Sequence, residues 1–380
     1  MFCWMVDCQQ KIPRSPSTRF VGRRELDATW VSPFSRFGPE DDLAQETEVA
    51  LIDEAQTGEH QSGPAPGDPW DTDAVVAGLR RSRDIEHNIR YRGRVRPLPS
   101  REAIIDSING LSVALFPAHY GQRELAPDAI DGFVGRALAR ALDGLSEQVR
   151  RSLPFSGAEA PAEEALAERA VAITRALAHQ LPRIRGLLVS DVRAAYDGDP
   201  AATSYSEILL IYPGVTAVVH HRLAHALHEL GARFLARMIA DIAHSRTGID
   251  IHPGARIGGS FFIDHGTGVV IGETAVIGER VRLYQAVTLG ARSFPADESG
   301  VLVKGAPRHP VIEDDVVIYA GATILGRITV GRGSSIGGNV WVTHDVPPGS
   351  VVSQATLKNS RGNRPGGLGD PVAGSDLGVR

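Results

Sequence analysis

This chain has few of the residues that would place it among secreted, thiolate-metal or membrane proteins. Its two cysteines are Cys3 and Cys8, so a disulfide framework and a zinc site built on thiolates are both excluded. No apolar run approaches the roughly 20 residues that a bilayer-spanning helix needs. Lys and Arg number 40 against 45 Asp and Glu, a net charge of -5 that argues against a nucleic-acid partner. We therefore expect a cytoplasmic protein with no metal, no membrane and no nucleic-acid partner.

The length of 380 residues predicts two or three domains, and the sequence divides into four parts. Residues 1–71 lack periodicity and are expected to form a disordered or loose tail. Residues 72–246 are predicted to be a helical domain, because apolar residues such as Ile104, Ile108 and Leu111 recur at helical spacing. Residues 247–352 carry a different repeat, and residues 353–380 are expected to be a flexible end. Within the helical part, Asp199-Pro200-Ala201 is predicted to open a helix, with Pro at a favoured early position.

An aliphatic residue returns at every sixth position through most of the third part. The first run is Ile251, Ile257, Ile263, Val269, Ala275, Val281 and Val287, and the second is Ile312, Ile318, Ile324, Val330, Ile336 and Val342. A period of six fits neither a helix nor a single strand. It is typical of a parallel β-helix of hexapeptide repeats, in which the chain turns a corner every six residues. With three hexads per coil, the thirteen positions predict about four coils.

The repeat breaks once, between Val287 and Ile312, which are 25 residues apart instead of a multiple of six. The polar residues between them predict a loop extruded from a coil over residues 291–310. Long loops on rigid scaffolds often carry binding residues, but this one could equally be a tolerated surface insertion.

Histidines are crowded before the repeat, where His221, His225 and His228 share one helical face. Two histidines four apart on a helix can both reach one metal ion. The H-E-x-x-H arrangement of zinc hydrolases is not present, so we favour a polar seam against another helix or subunit.

Within the repeat, Asp250 and His265 are fifteen residues apart, which in a coil of about eighteen residues places them on adjacent coils. A carboxylate beside a histidine fixes the imidazole tautomer and stabilises its protonated form, so the histidine can serve as a general base for an alcohol. The alternative, equally weighted from the residues alone, is that both are corner residues that satisfy turn backbone.

Several motifs resemble those of the serine O-acetyltransferase family and cover roughly residues 190–352. They are D-P-A at 199–201, D-I-H-P at 250–253, I-D-H-G-T-G at 263–268, V-I-G-E-T-A at 270–275, V-T-L-G at 287–290, R-H-P at 308–310 and I-Y-A-G-A-T-I-L-G at 318–326. The resemblance implies an α+β fold, with an all-helical amino-terminal domain followed by a left-handed parallel β-helix. The quoted motifs do not extend over residues 72 to about 190, and the longer amino-terminal part suggests an extended branch of the family.

The resemblance also implies the reaction, in which acetyl-CoA acetylates the hydroxyl of L-serine for cysteine biosynthesis. His265 would be the general base, with Asp250 orienting it and His309 assisting at the substrate. Asp199 and Asp264 would bind the substrate ammonium, and Arg308 its carboxylate, since a guanidinium offers bidentate donors. The acetyl-CoA channel would be lined by Gly290, Ala320 and Gly338, with Lys304 as a phosphate contact.

The family associates as a homotrimer or a dimer of trimers, with acyl-CoA between neighbouring subunits. A complex with O-acetylserine sulfhydrylase is doubtful, because the family's usual docking end is an isoleucine and this chain ends in Arg380. The main alternative function is a hexapeptide acetyltransferase for another hydroxyl, such as homoserine or a sugar. A γ-type carbonic anhydrase is disfavoured, because the histidines of the repeat lack the zinc-ligand spacing. A non-catalytic scaffold is disfavoured by the intact set of candidate site residues.

Overall fold

The computed structural model describes residues 69–82, 97–121, 126–155, 162–293, 297, 300–303 and 305–354. Of the expected tails at 1–71 and 353–380, residues 1–68 and 355–380 lie outside the described residues, as does Lys304. The chain divides into two compact units, residues 1–90 and residues 91–380. Within the first unit, α1 spans Thr72–Arg81 and buries none of its residues.

Among its described residues, the second unit begins with seven helices, whose core follows from helical spacing in the sequence. They are α2 (Arg101–Leu115), α3 (Pro117–Tyr120), α4 (Ile130–Ser152), α5 (Glu163–Gly198), α6 (Tyr205–Ile211), α7 (Pro213–Glu229) and α8 (Arg233–Thr247). Short 3₁₀ turns occupy Pro127–Ala129 and Leu153–Phe155. Helix α2 begins where the Ser100 hydroxyl accepts a hydrogen bond from the backbone N–H of Ala103 at 3.3 Å. No helix in the described part of the chain is both long and apolar enough to cross a bilayer.

The unit continues as a left-handed parallel β-helix, as the hexad repeat and the resemblance predict, and the structure describes fourteen short strands in it. The strands are β1 (Asp250–Ile251), β2 (Arg256–Ile257), β3 (Phe262–Ile263), β4 (Val270–Ile271), β5 (Val276–Ile277), β6 (Arg282–Leu283), β7 (Thr288–Gly290), β8 (Val311–Ile312), β9 (Val317–Ile318), β10 (Thr323–Leu325), β11 (Thr329–Val330), β12 (Ser335–Ile336), β13 (Trp341–Val342) and β14 (Val351–Val352). They form three parallel sheets, named here by strand order: sheet A is β1-β4-β7-β10-β13, sheet B is β2-β5-β8-β11, and sheet C is β3-β6-β9-β12-β14. Twelve of the thirteen predicted hexad positions are buried, and Ile257 is half-buried.

The coils are not all of one length, and sheet A shows this directly. Ile251 pairs with Ile271, Ile271 with Leu289, Leu289 with Ile324, and Ile324 with Val342. The steps are 20, 18, 35 and 18 residues, so only two of them match the predicted eighteen. The 35-residue step contains the extruded loop, and the chain regains register after it.

The first coil is longer because one of its corners is larger. Eight residues separate Ile263 in β3 from Ile271 in β4, whereas six separate Leu283 in β6 from Leu289 in β7. The two additional residues lie in the I-D-H-G-T-G motif. A count by six does not reveal these two residues, because a second buried aliphatic side chain lies two residues before the one in the strand. Val269, two residues before Ile271, is an example.

Helix α7 approaches the β-helix so closely that only glycine fits at one position. A Cβ on Gly214 would lie 2.1 Å from the carbonyl oxygen of Ile263. The same helix carries Arg222, whose guanidinium donates to both carboxylate oxygens of Asp191 in α5 at 2.7 and 2.8 Å. Arg222 also donates to the backbone carbonyl of Gly258 at 2.7 Å. This buried, fully bonded pair joins both helices to the first coil.

Candidate active site

Two acidic side chains and a tyrosine lie where the helices meet the corner between sheets C and A. Asp199 directly follows α5, and its Oδ1 accepts a hydrogen bond from the backbone N–H of Ala201 at 2.8 Å. The prediction that this segment opens a helix is wrong: residues 200–201 form a turn, because Asp199 closes it with its own side chain. The Tyr212 hydroxyl donates to the other oxygen of Asp199 at 2.6 Å.

Asp264 is the second acid at this corner, and its surroundings disfavour its ionised form. Burial raises its pKa, and the negative charge of Asp199 adds to that effect, while His265 opposes it. Burial and the hydrogen bond to Asp199 also raise the pKa of Tyr212. Two neighbouring carboxylates with so little compensating charge form a site suited to a small cation, such as an amino acid's ammonium group.

His265 occupies the enlarged corner of the first coil, between β3 and β4. Its φ is +57°, a left-handed conformation that is uncommon for a residue other than glycine, and the adjoining Gly266 has φ +93°. The His265 side chain is 71% exposed, and its Nδ1 lies 3.9 Å from Oδ1 of Asp264. The corner therefore presents an accessible imidazole beside a carboxylate, an arrangement that suits general-base chemistry.

Asp250 lies in β1, the first strand of the same coil, where it pairs in register with Val270 of the next coil. Among the described residues, no hydrogen bond or ion pair joins Asp250 to His265, and the carboxylate within 4 Å of the imidazole is that of Asp264. His265 lies five residues before Val270, the residue that stacks on Asp250. The orienting role of Asp250 stays a prediction.

Arg308 and His309 lie at a different corner, between sheets A and B, where the extruded loop returns to the coil. The Arg308 guanidinium donates to Oε2 of Glu273 at 2.7 Å. Burial alone would raise the pKa of Glu273, but the hydrogen bond from Arg308 and the charges nearby lower it. His309 is buried, with 6% exposure, and its Nδ1 lies 3.0 Å from the backbone nitrogen of Thr274.

The candidate residues therefore form two groups at opposite ends of one face of the β-helix. We name the His265 group, which comprises Asp199, Tyr212, Asp264 and His265, and the Arg308 group, which comprises Glu273, Thr274, Arg308 and His309. In the part of the chain that the structure describes, no hydrogen bond or ion pair joins a member of one group to a member of the other. Sheet A lies between the two corners, so one copy of the chain brings together only half of the predicted site.

The predicted acetyl-CoA residues also divide between the two corners. Ala320 and Gly338 follow β9 and β12 at the corner of His265, on successive coils, where a Cβ on Gly338 would lie 3.1 Å from the carbonyl oxygen of Ala320. Gly290 ends β7 at the corner of Arg308. The position of Gly290 is equally close-packed, because a Cβ there would lie 2.8 Å from Cδ2 of Leu325.

Sequence reasoning did not single out Tyr212, Glu273 or Thr274. Glu273 and Thr274 lie inside the quoted V-I-G-E-T-A motif, so the motif was recognised but the two side chains were not assigned a role. Their position in the sequence could have indicated a role, because Glu273 and Thr274 follow β4 at the corner to which the R-H-P segment also leads.

The histidines of α7 pack against the β-helix. His221 and His225 stack with ring centroids 5.7 Å apart, and Nδ1 of His225 lies 2.8 Å from the carbonyl oxygen of Pro253. Burial lowers the pKa of His221 well below its usual value. Within the described residues, no group of three or more His, Cys, Asp or Glu side chains is arranged to hold a metal ion.

Residues 309–344 match the family model of bacterial transferase hexapeptide repeats (six repeats). With three parallel sheets wound into coils and a histidine and carboxylates at a corner, the chain is a hexapeptide-repeat transferase.

Comparison with similar proteins identifies a family within this class of transferases. The chain is 55% identical to a plasmid-encoded serine acetyltransferase of Synechococcus elongatus over 305 residues, covering 79% of this chain and 95% of that protein. It is 49% identical to the serine acetyltransferase of Bacillus licheniformis over 195 residues, covering 49% of this chain and 86% of the other. The crystal structure of Entamoeba histolytica serine acetyltransferase 1 in complex with L-cysteine is 38% identical, with a TM-score of 0.58 over 68% of this chain and 89% of that one. The chain belongs to the serine acetyltransferase family.

Proposed function

We propose that this protein transfers the acetyl group of acetyl-CoA to the hydroxyl of L-serine, giving O-acetyl-L-serine and CoA for cysteine biosynthesis in the cytoplasm. The observation that carries the proposal is the exposed His265 imidazole next to the paired acids Asp199 and Asp264. A histidine base serves many acceptors, whereas a pair of acids beside it selects one that carries a positive charge. A sugar hydroxyl would not need them.

In the proposed mechanism the serine ammonium lies between Asp199 and Asp264, which places the serine hydroxyl at His265. The imidazole takes the hydroxyl proton as the oxygen attacks the thioester carbonyl. The negative charge of Asp264, 3.9 Å away, stabilises the imidazolium that forms. The tetrahedral intermediate then collapses, the carbon–sulfur bond breaks, and the imidazolium returns its proton to the CoA thiolate. Residues 190–352 contain no cysteine, so the acetyl group passes directly between the two substrates.

Arg308 and His309 complete this site from a second copy of the chain. Their corner is remote from His265 within one chain, whereas packing of coils side by side brings a corner of one copy against a corner of the next. We propose a homotrimer, or a dimer of trimers, with acetyl-CoA in the groove between neighbours. Ala320 and Gly338 of one copy and Gly290 of the other would line that groove, with Lys304 as a predicted phosphate contact. Arg308 would exchange its bond to Glu273 for the serine carboxylate.

The test is CoA release from acetyl-CoA, followed by thiol detection, with L-serine, homoserine, a sugar panel or no acceptor. We expect release that requires L-serine. His265→Ala should lower that rate by about 10²–10⁴-fold, the usual contribution of a general base. His344→Ala is the matched control, because His344 is an exposed histidine of the same β-helix outside both groups.

Release with homoserine or a sugar alone would leave the fold and His265 in place but show that the acceptor is wrong. Full activity in His265→Ala would show that the assigned base is wrong.

A further inference from the structure

A single threonine holds the segment that carries Arg308 and His309. The Thr274 hydroxyl accepts hydrogen bonds from the backbone N–H groups of Arg308, at 2.9 Å, and His309, at 3.2 Å. The same hydroxyl lies 2.9 Å from Nδ1 of His309, and the backbone N–H of Thr274 donates to that nitrogen at 3.0 Å. Thr274 therefore makes four polar contacts with two consecutive residues of the segment that returns from the extruded loop.

These contacts determine which nitrogen of His309 carries the proton. A backbone N–H can only donate, so Nδ1 of His309 must accept and cannot itself bear a hydrogen. The Thr274 hydroxyl already accepts two amide hydrogens, so its own hydrogen is left for the same Nδ1. The proton of the neutral ring is therefore on Nε2.

The His309 ring is also held on its other sides. A Cβ on Gly272 would lie 2.0 Å from Cδ2 of His309, so the ring packs directly on a backbone with no side chain. The Arg327 guanidinium donates to the carbonyl oxygens of Thr274 at 2.8 Å and His309 at 3.1 Å, which ties the two chain segments together from the next coil. Among the described residues Nε2 of His309 has no hydrogen-bond partner, and it is not among the fully buried atoms that lack one. Nε2 is therefore available to a ligand.

The charge state of the ring agrees with this geometry. Burial, with the positive charge of Arg308, lowers the pKa of His309 to about 4. The ring is neutral near pH 7, and the positive charges of Arg308 and Arg327 keep a second proton away. Because Nδ1 of the neutral His309 ring already accepts hydrogen bonds, the ring can still donate one hydrogen bond to a ligand, from Nε2.

We propose that Thr274 is a positioning residue that presents His309 as a fixed Nε2–H donor to the oxyanion of the tetrahedral intermediate, so that His309 stabilises charge and moves no proton. This inference rests on the proposed function for the identity of the reaction. A preorganised donor of this kind needs no reorganisation as the charge develops, which is why its orientation matters.

The test compares three variants in the CoA-release assay. Thr274→Val keeps the side-chain volume and the backbone N–H but removes the hydroxyl, and Thr274→Ser restores the hydroxyl. Thr329→Val is the matched control, because Thr329 lies in the neighbouring sheet B next to Val311 and no side-chain hydrogen bond is found for it in the described structure. We expect Thr274→Val to lower kcat with L-serine by about 10- to 100-fold, somewhat less than the loss of a whole oxyanion donor, while the KM for acetyl-CoA changes by less than about 2-fold. Thr274→Ser should regain most of the rate.

A second measurement is independent of activity. Nitrogen-15 NMR of the histidine side chains in the full-length protein reports which ring nitrogen is protonated, and the His309 signals are identified by their loss in His309→Asn. We expect an unprotonated Nδ1 and a protonated Nε2 at pH 7.

Three results would overturn the inference: a protonated Nδ1 in the wild type, a Thr274→Val rate within about 3-fold of wild type, or no recovery in Thr274→Ser. The NMR result decides the tautomer even if a variant fails to fold. Absence of serine-dependent CoA release in the wild type would contradict the proposed function instead, and the NMR measurement would still test the state of His309.

Discussion

Mixing two inactive variants should restore activity, because the two groups of candidate residues lie at different corners of one chain. His265→Ala removes the base from one corner, and Arg308→Ala removes the guanidinium from the other. If each active site takes the His265 corner from one copy and the Arg308 corner from its neighbour, a mixed assembly contains some sites in which both corners are intact. An assembly of either variant alone contains no site in which both corners are intact.

The expected size of the recovery follows from the geometry. An interface is intact when the copy that contributes His265 is the Arg308→Ala variant and the copy that contributes Arg308 is the His265→Ala variant. With equal amounts and random assembly, about one quarter of the interfaces in a ring of identical subunits meet both conditions. Because His265→Ala alone should lose about 10²–10⁴ in rate, a recovery to one quarter of wild-type activity lies well above its background.

The assay is CoA release by co-expressed variants that carry different affinity tags, purified through both tags in turn so that mixed assemblies are known to be present. The separately purified variants, combined without exchange, are the control. Activity of the mixed assemblies no higher than the mean of the two variants would refute the shared site and place the whole reaction within one copy. Purification through both tags removes assemblies of one variant, so the expected activity is about one third of wild type for a trimer and about one quarter for a dimer of trimers. Activity at that level would also establish that the protein works as an oligomer.

Two further predictions concern stability. Arg222→Met leaves the Asp191 carboxylate buried without its partner and should lower the free energy of unfolding by about 3–5 kcal/mol, measured by denaturant titration at fixed protein concentration. Arg101→Met, which breaks an exposed ion pair, should cost less than about 1 kcal/mol, and equal losses would contradict the assigned role of the buried pair. Burial lowers the pKa of His252 to about 4, so the unfolded chain binds its proton more readily and stability should fall as pH drops from about 6.5 towards 4. His252→Gln should flatten the slope of melting temperature against pH in that window, whereas His344→Gln should not, and identical slopes in both would refute the assignment.

The β-helix was predictable because a corner every six residues imposes its own spacing on the aliphatic residues. What the spacing could not show is where a corner changes size. The outward-facing residue of a strand has a buried residue on each side of it, as Val269 and Ile271 show around Val270. A count by six that moves from the second buried position to the first therefore still finds an aliphatic residue at every step. The enlargement at His265 is hidden in this way.

The sequence predicts a set of candidate residues, but it does not predict how they are arranged in space. The motifs indicate Asp264, His265, Arg308 and His309, yet nothing in a linear sequence says that sheet A separates them. The expected contact of Asp250 with His265 stays a prediction, and it assumed a coil of eighteen residues where the structure has twenty. Thr274 was not assigned because its role consists of hydrogen bonds to residues 34 and 35 positions away.

The extruded loop leaves sheet A after Gly290 and returns at Val311, and the stack above it continues in the register that it had below. The strand register therefore depends on the number of completed coils and not on the number of residues in any one coil. The length of the loop can therefore change without altering the pairing of the strands on either side of it. For a protein engineer, the loop is a place to insert a foreign peptide, such as a reporter or a regulatory sequence, with Lys304, Arg308 and His309 left in place.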